Sequence, residues 1–146
     1  MAHDHEQVFS PRLIKAYLDR VTSPEFEKIG VTPSSYIFLM EILHHEGISL
    51  KLLSERLIVD KAHTTRMVNR LMEAGFVENT AEGHQYSLRL TDLGHEAALK
   101  ANAINSAAIR ELYRDLTPEE MATLHIIMGK ILGVIRSKED RSSSPL

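Results

Sequence analysis

Three times in this 146-residue chain a hydroxyl residue stands directly before a proline and ahead of apolar residues at helical spacing: Ser10-Pro11, Thr32-Pro33 and Thr117-Pro118. A Ser or Thr side chain accepts a bond from a free N–H of the first helical turn. Proline in the first helical position gives up only an N–H that lacks a partner anyway. Each pair therefore commits the segment after it to a helix. Leu13, Ile14, Tyr17, Leu18 and Val21 follow the first pair, and Ser23-Pro24 is expected to interrupt or kink that helix before Gly30. Tyr36, Leu39, Met40 and Leu43 follow the second, and Gly47 ends the run. After the third, Glu120 completes a capping box. The helix it starts is apolar around much of its circumference, with Met121, Leu124, Ile126, Ile127, Met128, Ile131, Leu132, Val134 and Ile135. The polar, Ser-rich residues 137–146 read as a mobile tail.

Between these helices lie two shorter ones. Ser49 caps the first, whose apolar face is Leu50, Leu53 and Leu57; Ile58-Val59 makes a brief turn; Asp60 caps the second, from Lys61 to about Ala74, and Gly75 stops it. Only the next segment abandons the helical period. Over Gln85 to Leu90, Tyr86, Leu88 and Leu90 alternate with Gln85, Ser87 and Arg89, as in a half-buried strand, with Val77 on its partner and Glu82-Gly83 at the turn. Thr91 then caps a long helix from Asp92 to about Asp115, with Leu93, Ala97, Ala101, Ile104, Ala108 and Leu112 along one side. The chain reads as mainly α with one small β-hairpin. Two short helices, a tight turn and a hairpin are the order of a winged helix-turn-helix.

Composition narrows the chemistry. The chain has no Cys, which excludes disulfides, thiolate-bound zinc and thiol nucleophiles. No apolar run approaches the roughly 20 residues that span a bilayer, and MAHDHEQVFS lacks the basic start and apolar stretch of a signal peptide, so a soluble, cytoplasmic protein is expected. No Gly-rich phosphate loop and no framed Ser-His-Asp set appear, so no enzyme and no cofactor are expected. The net charge of −3 argues against a nonspecific nucleic-acid coat. It is unevenly spread, however: −3 over residues 1–47, +1 over 48–91 and −1 over 92–146.

The least acidic third contains the helix that begins at Lys61. With Thr64, Val68 and Leu71 inward, a step of about 100° per residue turns Ala62, Arg66, Asn69 and Arg70 outward, flanked by His63 and Thr65. Such a face suits a major groove. Arg pairs with guanine, Asn reads adenine, Thr and Ala touch the thymine methyl, and Lys61, in the first turn, neutralises phosphate.

The chain resembles the MarR family of winged helix-turn-helix transcriptional regulators. The matching stretches are Gly30-Val31-Thr32-Pro33-Ser34-Ser35-Tyr36, Leu53-Ser54-Glu55-Arg56-Leu57-Ile58-Val59-Asp60, the run from Thr64 to Val77, and Leu88-Arg89-Leu90-Thr91-Asp92-Leu93-Gly94. The resemblance implies one domain over residues 1–146, a homodimer held by helices within 10–30 and 92–136, and a DNA-binding region over 32–91. It further implies double-stranded DNA with a pseudo-palindromic operator as partner and a repressor released by a small-molecule effector. The family wing usually carries Asp-x-Arg at its tip, where this chain has Glu82-Gly83-His84. Minor-groove anchoring is then weaker or tied to protonation of His84, and Arg89 is left to contact phosphate.

Two further groups of residues stand out. Tyr17, Tyr36, Phe38 and His44 are candidates for the cleft in which many relatives bind aromatic effectors. Glu41, His44 and His45, with Glu41 and His45 one turn apart, have a spacing that can put two ligands on a metal, and some relatives sense zinc in this way. His95, Glu96 and His125 lie on helices that the family packs nearby. Surface and core roles compete with both readings. His3-Asp4-His5 reads as a frayed terminus. Beside the effector-released repressor stand a metal-responsive regulator and a winged-helix module for protein assembly.

Overall fold

The computed structural model describes residues 10–142, and the side chains of 10–140. His3-Asp4-His5 and residues 143–146 of the expected tail lie outside the described residues. In order, the elements are α1 (Pro11–Glu27), α2 (Pro33–His44), α3 (Leu50–Leu57), α4 (Lys61–Glu73), β1 (Val77–Asn79), β2 (Leu88–Leu90), α5 (Asp92–Leu112) and α6 (Pro118–Ser142). The chain divides into two compact units, one ending at Arg110 and the other beginning at Glu111. Among the described residues no helix is long and apolar enough to cross a membrane.

The hydroxyl–proline starts all cap their helices. Ser10 accepts from Leu13 N at 3.3 Å. Thr32 accepts from Ser35 N at 3.0 Å, and Ser35 Oγ in return accepts from Thr32 N at 2.9 Å. Thr117 and Glu120 close a reciprocal box at 3.1 and 3.0 Å. Ser23-Pro24 does not interrupt α1, which runs on to Glu27. Thr22 Oγ1 donates to the Leu18 carbonyl at 2.7 Å and Ser23 Oγ to that of Asp19, so the turn before the proline stays occupied although Pro24 itself donates nothing. At the other end, α6 continues six residues past the expected end at 136, and residues 137–142 are helical.

In the first unit the core gathers Phe26 and Val31, Phe38, Leu39 and Ile42 of α2, Leu53 of α3, and Met67, Val68 and Leu71 of α4. Phe76, Val77, Leu88 and Leu90 of the hairpin and Ala97, Ala98 and Ala101 of α5 complete it. The hairpin is antiparallel, pairing Val77 with Leu90, Glu78 with Arg89 and Asn79 with Leu88. A single bridge from Ile48 adds a third edge: Gly47 N donates to the Leu88 carbonyl at 2.7 Å, and Leu88 N to that of Ile48 at 2.9 Å. One bridge has no period, so the sequence could not announce it.

Strand β2 is shorter than the alternation over 85–90. Asn79 Oδ1 accepts from Ser87 N at 2.9 Å and from Ala81 N at 3.1 Å, closing the loop there and leaving Tyr86 and Gln85 outside the ladder. On α5 the buried side is Gly94, Ala97, Ala98 and Ala101 rather than a stripe through Leu93, which is 52% exposed. The small residues allow close approach: a Cβ at Gly94 would lie 1.9 Å from the Phe76 carbonyl oxygen. In the second unit, Ile126, Ile127, Ile131, Leu132, Val134 and Ile135 of α6 all keep large exposed surfaces.

Candidate nucleic-acid interface

Helix α4 is fixed from its first turn. Asp60 Oδ1 accepts from His63 N at 2.7 Å. The fully buried Thr64 donates to the Asp60 carbonyl at 3.0 Å and accepts from Ser54 Oγ of α3 at 2.9 Å. Two hydroxyls satisfied inside an apolar contact allow few alternative registers of α4 against α3, because sliding the helix would leave them unpaired. Between the two helices Ile58 takes a left-handed conformation, φ +55°, and turns the chain.

With Thr64, Met67, Val68 and Leu71 buried, the side expected to face outward does so: Lys61, Ala62, Thr65, Arg66, Asn69 and Arg70 are exposed. His63 is half-buried, its ring edge-on to Phe38 with centroids 5.8 Å apart. The wing contributes His84 at its exposed loop and Arg89 on the exposed side of β2. Among the described residues Lys61, Arg66, Arg70 and Arg89 form no ion pair, whereas Lys15, Lys28, Arg56, Lys100 and Arg114 do. Side chains outside ion pairs keep their charge available to an anionic polymer.

The residues considered for an effector differ in their surroundings. Phe38 has no exposed surface and packs in the core, so it cannot line a cleft. Tyr36 is half-buried, stacked on Phe26 at 5.4 Å, and donates to Asn102 Oδ1 of α5 at 3.2 Å. Burial pushes its phenol above the ordinary value, with the Asn105 side chain pulling more weakly the other way. Tyr17, also half-buried, lies beside the Arg20 guanidinium, 5.9 Å from the ring centre. His44 is exposed at the end of α2.

Glu41 and His45 do meet, at 3.2 Å, but Glu41 also takes the Arg56 guanidinium of α3, a cation already at the carboxylate a metal would need. Among the described residues no three His, Cys, Asp or Glu side chains converge as a metal set. His95 is instead paired with Glu46 at 3.1 Å and Glu96 with Lys100 at 2.9 Å. Sequence reasoning missed Glu46, which also accepts from Leu90 N at 3.2 Å and so ties β2 to the start of α5.

Comparison with known proteins finds relatives of this arrangement. The model of the MarR family matches residues 31–82, from the approach to α2 into the wing. The HTH-type transcriptional regulator BilQ of Clostridioides difficile is 34% identical over 85 residues, 56% of this chain and about half (55%) of that regulator's length. The HTH-type transcriptional regulator SarZ of Staphylococcus epidermidis is 28% identical over 120 residues, 80% of this chain and 76% of its own. Among solved structures, a mutant MarR from E. coli complexed with operator DNA superposes with a TM-score of 0.70 at 26% identity, covering 82% of this chain and 89% of that one. Residues 31–82 thus match the MarR family, and the chain is similar in fold to a solved MarR regulator.

Proposed function

We propose that this chain is a DNA-binding transcriptional repressor that acts as a homodimer on a pseudo-palindromic operator and is released by a small molecule. The observation that carries the reading is the outer face of α4. Lys61, Ala62, Thr65, Arg66, Asn69 and Arg70 are exposed together, on a helix held by buried hydroxyls, beside a wing that adds His84 and Arg89. Arg66 and Asn69 supply base-reading groups, Ala62 and Thr65 methyl contacts, and Lys61, Arg70 and Arg89 phosphate contacts. His63, wedged against Phe38, reads from the edge of the face. The complex of the E. coli MarR with operator DNA supports the same use of the fold.

Dimerisation is supported by aliphatic surface that a monomer would leave in water: Leu13 and Ile14 on α1, Leu99 on α5, and Ile126 and Val134 on α6. Two heads related by twofold symmetry read half-sites one helical turn apart, about 10 bp centre to centre. Release is expected to act by favouring a spacing of the two Arg66 side chains that no longer matches the groove repeat. Tyr17 and Tyr36, with His44 nearer the end of α2, remain candidates to line that effector site. Selection of the purified protein against a pool of random duplexes tests the reading. It should enrich an inverted repeat with that spacing; a pool without any enriched sequence would contradict it.

A further inference from the structure

Three contacts hold the edge of β2 that faces away from β1. Gly47 N donates to the Leu88 carbonyl at 2.7 Å, and Leu88 N to that of Ile48 at 2.9 Å. One step further on, the Glu46 carboxylate accepts from Leu90 N at 3.2 Å. The other oxygen of that carboxylate meets His95 Nε2 of α5 at 3.1 Å. Arg89 stands between the two residues held in this way. We propose that Glu46 is a positioning residue for DNA binding, which aims Arg89 at the phosphate backbone, and that His95 fixes the carboxylate that does so. This role rests on the reading of α4 and Arg89 as the DNA-contacting groups.

The ladder explains why a side chain is needed there. Backbone groups alternate along a strand, so Leu88 and Leu90 turn theirs away from β1 while Arg89 pairs with Glu78 across the hairpin. The Ile48 bridge serves Leu88, and the carboxylate extends the same edge by one residue. Leu90 is buried, so an N–H left without a partner there is costly and loosens the end of the strand. Arg89 would move with it. Its exposed side chain lies beside the same segment, with the guanidinium 3.7 Å from where a Cβ on Gly47 would stand. That segment is itself anchored. His45 N donates to the Glu41 carbonyl at 3.1 Å, and the His45 ring lies 3.2 Å from the Glu41 carboxylate, which also holds Arg56 of α3. Charge acts in the opposite direction, since a carboxylate close to a phosphate-binding arginine repels the duplex. The hold on Leu90 N outweighs that repulsion, and two substitutions at Glu46 separate the effects.

The test is affinity for a selected inverted-repeat duplex, read by fluorescence anisotropy. Glu46→Gln keeps an acceptor for Leu90 N and loses the charge, so it should bind at least as tightly as the parent. Glu46→Ala should bind about fivefold more weakly. His95→Gln, whose amide can still reach the carboxylate, should match the parent, and His95→Ala should bind more weakly than His95→Gln. Arg89→Ala should lose about as much as Glu46→Ala. The two together should lose no more than either alone, because one acts through the other. In NMR spectra Glu46→Ala should shift the Arg89 and Leu90 amides and leave those of α4 at their parent positions. Equal or tighter binding by Glu46→Ala, an equal loss in Glu46→Gln, or losses that add to that of Arg89→Ala would overturn the proposal. Shifts that spread through α4 would make Glu46 a general support of the fold and overturn it too. If the parent binds but Arg89→Ala binds as well, the role of Glu46 falls while α4 stands. A parent that binds no duplex instead contradicts the reading of α4, and the role of Glu46 falls with it.

Discussion

Ile58 holds a left-handed backbone, and Gly94 lies directly against the backbone of Phe76. Ile58 sits at φ +55° with 59% of its surface exposed. A β-branched side chain there carries about 1–2 kcal/mol of strain that packing does not recover. Ile58→Gly should therefore raise the unfolding free energy by about 1 kcal/mol in urea titrations, the gain reduced by the greater freedom of glycine in the unfolded chain. Gly94→Ala should do the opposite. Its Cβ would meet the backbone of Phe76, which cannot swing aside, so a loss of about 1–3 kcal/mol is expected in the same titration. Periodicity sees which residues are apolar, not where two backbones touch, and so it put Leu93 in the stripe that Gly94 and Ala98 occupy. Tyr36 gives a pH signature. Because burial raises its phenol, the fold favours the neutral form, and that stability is present below the ordinary value of 10.0 and lost as pH climbs past it. Tyr36→Phe should flatten the alkaline fall in melting temperature relative to the parent; an identical fall in both would contradict this.

The elements themselves were largely legible, because capping and hydrophobic spacing are local. The outer face of α4 followed from assigning Thr64, Val68 and Leu71 inward, all of which are buried. The hydroxyl pair of Ser54 and Thr64 was not legible, since it depends on two helices meeting. Neither was the Ile48 bridge or the complete burial of Phe38 in the core. Ser54→Ala removes a buried donor while Thr64 keeps its bond to the Asp60 carbonyl, so it should cost about 1 kcal/mol in urea unfolding and blur the register of α4. Lys61→Ala should weaken DNA binding about equally on all sequences. It should also lower the slope of log affinity against log salt by about one per head, read by fluorescence anisotropy at several salt concentrations. An unchanged slope would take Lys61 off the phosphate backbone.

For the whole molecule the proposed dimer rests on the exposed aliphatic side chains of α1, α5 and α6. Sedimentation at micromolar concentration should give a dimer, and Ile126→Glu with Val134→Glu should release monomer; a parent that sediments as monomer would contradict the assembly. In the proposed dimer two heads act on one duplex, and the loss of a base contact is felt twice. The central claim is that the α4 face reads sequence, and titrating a selected inverted-repeat duplex with parent and Arg66→Ala protein tests it most directly. The account predicts a loss of about 1–3 kcal/mol per half-site in the variant, with relaxed preference at one position of each half-site. Unchanged affinity and unchanged preference in Arg66→Ala would contradict it.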